Sequence, residues 1–199
     1  RAGSKGLPGK NLATIGGRPL VAWSHRALAR LRDRRPGLEL FLSTDDPAIA
    51  AAWPEADRPA RLRPARLAAD ESTSLDVVEH ELARMAEDGR PCDAVLLVQP
   101  TSPLLTTGDL DAMWRAFEDG AESVIAAAAL DHPLRWCFGL DSSGRVEPVA
   151  DWSTRARQGE RPAHRPVGAY LCTVAFLREH RAFAVPGRTR AVLIPPERA

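Results

Sequence analysis

Cysteine is scarce: three occur in 199 residues, and Cys92, Cys137 and Cys172 lie too far apart to form a C-x-x-C zinc or redox pair. Reduced structural thiols are the expectation, and with them a cytoplasmic compartment. Long apolar runs are missing as well. None approaches the ~20 residues needed to span a bilayer, and no charged-then-apolar leader precedes the first motif, so a soluble, unsecreted protein is expected. Nor does one sign of charge dominate. Lys plus Arg number 27 against 26 Asp plus Glu, a net of +1, so no whole-molecule field argues for a nucleic-acid or membrane partner. The five histidines, His25, His80, His132, His164 and His180, show no metal-ligand spacing and give no support to a histidine general base. No internal repeat or low-complexity tract is present beyond an Ala/Arg bias.

What the chain does have is a dense loop over residues 1–11, Arg-Ala-Gly-Ser-Lys-Gly-Leu-Pro-Gly-Lys-Asn. Gly3, Gly6 and Gly9 can take positive φ, let a ligand approach the backbone and offer amide donors to an anion. Arg1, Lys5 and Lys10 add cations, and Ser4 and Asn11 add hydrogen-bonding side chains. The order matches neither the P-loop nor the dinucleotide G-x-G-x-x-G. It reads as a different polyphosphate loop. Such a loop normally follows a buried strand, so a strand is expected ahead of Arg1.

At this length one α/β domain, residues 1–199, is expected. Leu20, Trp23, Ala27, Leu28 and Leu31 fall at helical spacing and predict a helix over Pro19–Arg34. Its basic end, Arg30 to Arg35, suits the macrodipole and needs no nucleic acid to explain it. Leu38–Leu42 reads as a short strand and Pro47–Trp53 as a helix, with Asp46 as its cap. Leu75, Val78, Leu82 and Met85 mark a helix capped by Ser72, Thr73 or Ser74. Asp93–Val98 reads as a buried, central parallel strand, Leu110 to Phe117 as a helix and Glu122–Ala129 as a strand. The alternation points to a doubly wound, mostly parallel sheet. From about 130 to 162 the pattern breaks into prolines, short alternating pieces and the tryptophans Trp136 and Trp152, an excursion from the sheet rather than a second domain.

Further blocks recur in order: Ser43-Thr44-Asp45-Asp46, Leu62-Arg63-Pro64-Ala65-Arg66-Leu67-Ala68-Ala69-Asp70 with Ser74 beyond it, Val98-Gln99-Pro100-Thr101-Ser102-Pro103-Leu104, His132-Pro133-Leu134-Arg135, Arg157-Gln158, and Arg165-Pro166-Val167-Gly168-Ala169-Tyr170. Together with the first loop, which resembles A-R-x-G-S-K-G-L-P-x-K-N, they resemble the acylneuraminate cytidylyltransferases, the CMP-sialic acid synthetase family. The resemblance covers essentially the whole chain. It implies a Rossmann-like nucleotidyltransferase fold and transfer of CMP from CTP to the anomeric hydroxyl of a 2-keto sugar acid, with release of pyrophosphate and with Mg2+ as cofactor. It further implies a homodimer in which the excursion packs on the partner.

By the same resemblance Arg1, Gly3, Ser4, Lys5, Lys10, Asn11, Arg63 and Ser74 hold the nucleotide, with Arg1, Lys5 and Lys10 as catalytic cations. Gln99, Ser102, Arg157 and Arg165 line the acceptor. An acidic block that would hold the metal is expected beyond Ala199, so no metal ligand is assigned. Taken alone, Arg157 and Arg165 read as surface charges, and only the motif context lifts them. Asp45 is left open between capping and function.

Three positions depart from the family pattern. Leu105 stands where many members have arginine, Val167 where they have asparagine, and Arg66 where they have glutamate. The first two lie in acceptor-facing blocks and suggest an acceptor other than ordinary N-acetylneuraminate, with Kdo enzymes fitting less well because their first loop reads differently. Two rivals stay open: a nucleotide-binding homologue without turnover, and a nucleotidyltransferase acting on a sugar phosphate or a phosphonate.

Overall fold

The structure is a computed structural model that describes residues 6–149 and 162–199, and of Arg135 only the backbone. After the loop, Lys10–Leu12 forms a 3-10 turn behind Gly9, whose φ of 68° is left-handed and suits glycine. A small ribbon of β1 (Thr14–Ile15) and β2 (Arg18–Pro19) leads into α1 (Leu20–Arg32). Then follow α2 (Pro47–Ala51), α3 (Ser74–Glu87), β3 (Ala94–Val98), α4 (Thr107–Glu118) and β4 (Ser123–Ala129). A hairpin of β5 (Phe138–Leu140) and β6 (Val146–Pro148) precedes β7 (His164–Thr173), α5 (Val174–His180) and β8 (Arg190–Leu193). Among the described residues no helix is long and apolar enough to cross a membrane.

The central sheet has the order β3-β7-β4-β8. β4 and β8 pair in parallel, whereas β7 runs antiparallel to both β3 and β4. The sheet is therefore mixed, with one strand reversed. Helices cover both faces, as a doubly wound α/β fold requires. One core cluster joins Ala27 and Leu31 of α1 and Leu110 and Met113 of α4 to Val124, Ala126 and Ala128 of β4 and Leu171 of β7. A second joins Val78 and Leu82 of α3 to Cys172 of β7 and Phe176 and Leu177 of α5. Alternation along β3 serves both, since Leu96 and Val98 pack on the first cluster and Val95 and Leu97 on the second.

Two sequence expectations change here. Among the described residues Leu38–Leu42 forms no strand ladder, and Ala94–Val98 is an edge strand, antiparallel to β7, rather than a central parallel one. These are two sides of one feature. A cavity of about 1030 Å³ lies between the segment Leu38–Thr44 and β3, walled by Val21 and Leu28 of α1 on one side and Val78 and Met85 of α3 on the other. Beyond it, Leu42, Ile49, Trp53 and Val21 form a separate apolar cluster. The walls run in the same direction: Arg90, just before β3, pairs with Glu39 at 2.9 Å at one end, and Ser43, Thr44, Gln99 and Asn11 gather at the other.

The caps follow the sequence closely. Asp46 accepts the Ala48 N–H at 2.7 Å, and Thr73 and Asp76 form a reciprocal capping box at the start of α3. Thr106 and Asp109 repeat that box on α4, where Asp109 also pairs with Arg198 at 2.6 Å and ties down the C-terminal turn.

Candidate functional site

The polar end of the cavity is built from the carboxyl ends of the two strand-like walls, where α/β folds bind ligands. Asn11 enters from the first loop, Ser43 and Thr44 from the segment before α2, Arg63 from the following connection, Ser72, Thr73 and Ser74 from the start of α3, and Gln99 and Pro100 from the end of β3. Convergence of the first loop with the Asp45 and Gln99 blocks was expected from their positions after strands. Of those blocks Asn11 and Gln99 line the cavity, while Asp45 and Ser102 do not; Arg63 and Ser74, which the family resemblance placed at the nucleotide, line it as well.

Arg63 is held by both backbone and side chain. Its N–H donates to the Thr44 carbonyl at 2.7 Å and its guanidinium pairs with Asp45 at 3.2 Å. Its side chain is only 9% exposed, and Nε makes no hydrogen bond among the described residues. A buried donor left over inside a cavity rim is positioned for a ligand acceptor. Asp45 thus pairs with Arg63, whereas its neighbour Asp46 caps α2, as expected of it. Ser24 Oγ on α1 is a second buried cavity-lining group with no hydrogen-bond partner among the described residues.

Glu81 lies 7% exposed on the otherwise apolar face of α3, accepting from Ser43 Oγ at 2.6 Å and from Arg84 at 2.9 Å. It fastens the unpaired wall segment to α3. Sequence reasoning passed over it. The signal was an acid interrupting the apolar positions Val78, Leu82 and Met85.

Other candidates lie elsewhere. Lys10 sits half-buried in the 3-10 turn but is not on the cavity wall, and Ser102 lies one turn beyond Gln99, its N–H donating to the Gln99 carbonyl at 3.3 Å. Arg165 is exposed on β7 opposite Ala128, away from the wall. Arg1, Gly3, Ser4, Lys5, Arg157 and Trp152 fall outside the described residues.

Leu105 and Val167, the two departures in the acceptor-facing blocks, lie in the core. Both are buried, at 5% and 2%, in the main core cluster and line no part of the cavity. Their apolar character fills the core, which gives it a packing reason that the sequence reading did not weigh. His25 is also more than an ordinary helix residue. It meets Asp57 at 2.6 Å, beside Arg32 at 2.5 Å from the same carboxylate, and packs edge-on against Trp53. Hydrogen bonds from Arg32 first and His25 second hold the Asp57 carboxyl below its ordinary range. Burial pushes the Cys172 thiol up to about 11, so it is an inert core thiol. Among the described residues no group of three or more His, Cys, Asp or Glu side chains converges to hold a metal.

The chain is similar to a solved CMP:2-keto-3-deoxy-manno-octonic acid synthetase complexed with CTP, with a TM-score of 0.64 and 15% identity over 98% of this chain and 86% of that one. At such identity the likeness shows the fold alone, a Rossmann-like α/β fold. Residues 1–150 match the family model described as Cytidylyltransferase, and the chain belongs to that family. It is 32% identical over 187 residues to the CMP-N,N'-diacetyllegionaminic acid synthase of Legionella pneumophila subsp. pneumophila, covering 92% of this chain and 79% of that protein. It is 31% identical over 205 residues to the 3-deoxy-manno-octulosonate cytidylyltransferase of Anaeromyxobacter sp., covering 96% and 77%. The expectation that Kdo enzymes fit less well is therefore not upheld, since the two identities are nearly equal.

Proposed function

We propose that the protein transfers CMP from CTP to the anomeric hydroxyl of a 2-keto sugar acid. The hydroxyl oxygen bonds to the α-phosphorus, the bond from that phosphorus to the β-phosphate oxygen breaks, the hydroxyl proton passes to solvent and pyrophosphate leaves. The observation that carries this reading is the gathering of Asn11, Arg63, Ser74 and Gln99 around one cavity mouth at the carboxyl ends of its walls. Arg63, oriented by Asp45, offers its spare Nε–H to the nucleotide. Lys10 with Arg1 and Lys5 neutralises charge on the phosphates, and the amides at Gly3 and Ser4 add donors. Positioning and charge neutralisation are the protein's main tasks in such transfers. Gln99 and Ser102 face the acceptor, whose carboxylate suits the guanidinium forks of Arg157 and Arg165.

A divalent ion, Mg2+, is proposed to enter with the triphosphate, in line with its habit of binding through phosphates and few carboxylates. The described residues build no cage for it by themselves. The acceptor is taken to be a nonulosonate of the sialic or legionaminic kind, and the similar identity to an octulosonate enzyme favours Kdo as the second reading.

Two assembly features belong to the same proposal. The cavity between Leu38–Thr44 and β3 takes a further strand leading into the loop at Arg1, which would pair with both walls. The exposed apolar residues Leu134, Trp136, Phe138, Leu140 and Val146 on and beside the hairpin form the face on which a second copy packs.

The test is pyrophosphate release with magnesium, each of the four nucleoside triphosphates and a panel of 2-keto sugar acids, including Kdo. Release with CTP and one acid is expected. Turnover with GTP or UTP and a sugar phosphate would replace this reading, and CTP binding without turnover for any acceptor would favour the inactive homologue.

A further inference from the structure

β7 is the one strand of the main sheet paired on both edges by antiparallel neighbours, and its register breaks beside the site. Tyr170 pairs with Ile125 and Pro166 with Ala127, so Val167, Gly168 and Ala169 together face the single residue Ala126. A bulge of this kind bends a strand and re-aims what it carries. Here it is pinned from within, because Val167 and Ala169 are 2% and 0% exposed in the main core.

Gly168 is the free point of the bulge. Its φ is +44°, and its carbonyl accepts the Gln99 N–H at 2.7 Å, just past the end of β3. A Cβ built at this position would lie 2.5 Å from Ser102 Oγ, 3.2 Å from Ser102 Cβ and 3.4 Å from Gln99 Cβ. Two constraints therefore coincide: the backbone conformation disfavours any side chain, and the space a side chain would need is already filled by Ser102. The bare Cα is what lets the turn Gln99–Ser102 close down onto β7.

We infer that Gly168 is a positioning residue for the acceptor side of the site: the β7 bulge clamps Gln99 through its carbonyl and seats Ser102 against its bare Cα. The inference rests on the reading of Gln99 and Ser102 given above. The nucleotide side, at Asn11, Arg63 and Ser74, is built on other elements: the 3-10 turn after the first loop, the connection bonded to Thr44 and the start of α3. A side chain at 168 consequently disturbs acceptor binding and leaves CTP binding alone.

The experiment uses Gly168→Ala in the active chain, with Met113→Ala as a control that loosens the same core cluster from α4, outside the bulge, and adds no atom next to Ser102. For Gly168→Ala the expected result is an acid KM raised at least about tenfold, with CTP affinity by direct binding within about twofold. Met113→Ala lowers the melting temperature but leaves the acid KM within about twofold. Hydrogen exchange at the Gln99 amide rises about tenfold in Gly168→Ala while the amides of Leu96 and Val98 hold. This last readout needs no turnover, so it separates failure of the clamp from failure of the cytidylyltransferase reading, which the wild-type assay alone decides. Where Gly168→Ala does not fold, Ser102→Ala in the same chain removes the 2.5 Å contact, and recovery of soluble protein supports the clamp as a coupling between the two positions. An unchanged acid KM with an unchanged Gln99 amide, equal losses for CTP and acid, or no recovery in the double variant would overturn it.

Discussion

Arg63 shows how single residues acquire a role from their surroundings. In a chain this rich in arginine it is one cation among many, yet Asp45, the Thr44 carbonyl and burial fix its head group at the cavity mouth. Lys10 is the opposite case, a cation carried by a left-handed turn at Gly9 with few restraints of its own. Replacing Lys10 by Ala is expected to lower kcat at least about 100-fold, the scale of losing one positioned donor to a developing anion. Circular dichroism and melting temperature should stay unchanged; near-normal turnover would remove the loop from the mechanism. Asp57 makes a prediction of a different kind. Its carboxyl is depressed in the folded protein, so the unfolded chain takes up the proton more readily. The stability supplied by its pairing with Arg32 and His25 is then present above the ordinary carboxylate value of about 4 and is lost as pH falls through the depressed one. Acid unfolding curves of Asp57→Asn should be flatter than wild type in that window and parallel to it above.

Elements owe their ends to a few polar side chains. The two capping boxes start α3 and α4 where the connections leave the site, so helix starts and site geometry are set by the same residues. Ser74 reaches the cavity because Thr73 stops the helix one residue earlier. On α4, Thr106→Ala removes the acceptor for the Asp109 N–H and loosens the carboxylate that holds Arg198. A loss of about 1 kcal/mol is expected, read as a melting temperature lower by about 2–4 °C. Helices were legible because their signals are local: the apolar spacing of Leu20 to Leu31 and the box Thr106-x-x-Asp109 both predict what is found. The strand at Leu38–Leu42 was legible as an apolar run only, since a strand needs a partner and the described residues provide none. The reversal of β7 was equally hidden, as an apolar run reads the same in either direction.

At the scale of the whole molecule, two surfaces remain without partners within the described residues: the slot beside β3 and the apolar hairpin. For the slot, a chain extended by an added strand-forming segment ahead of Arg1 is expected to show amides protected from exchange on both walls, Leu38–Ser43 and Ala94–Val98. The 199-residue chain should leave them open. Equal protection in both chains would show that the slot closes by other means. For the hairpin, Phe138→Asp places a charge in the middle of the apolar face. Light scattering is expected to give a dimer for wild type and a monomer for the variant, while a monomeric wild type would end the proposal.

By itself the sequence determined the family and the helices, because each rests on residues close together in the chain: motif residues within eleven positions, caps three residues apart, apolar spacing of one turn. Tertiary structure decided what depends on distant neighbours. It turned Leu105 and Val167 into core residues, made Asp45 the orienting partner of Arg63, drew Glu81 to Ser43, and set Gly168 against Ser102. Each of those facts is a contact between segments far apart along the chain, and their spacing in sequence says nothing of their distance in space.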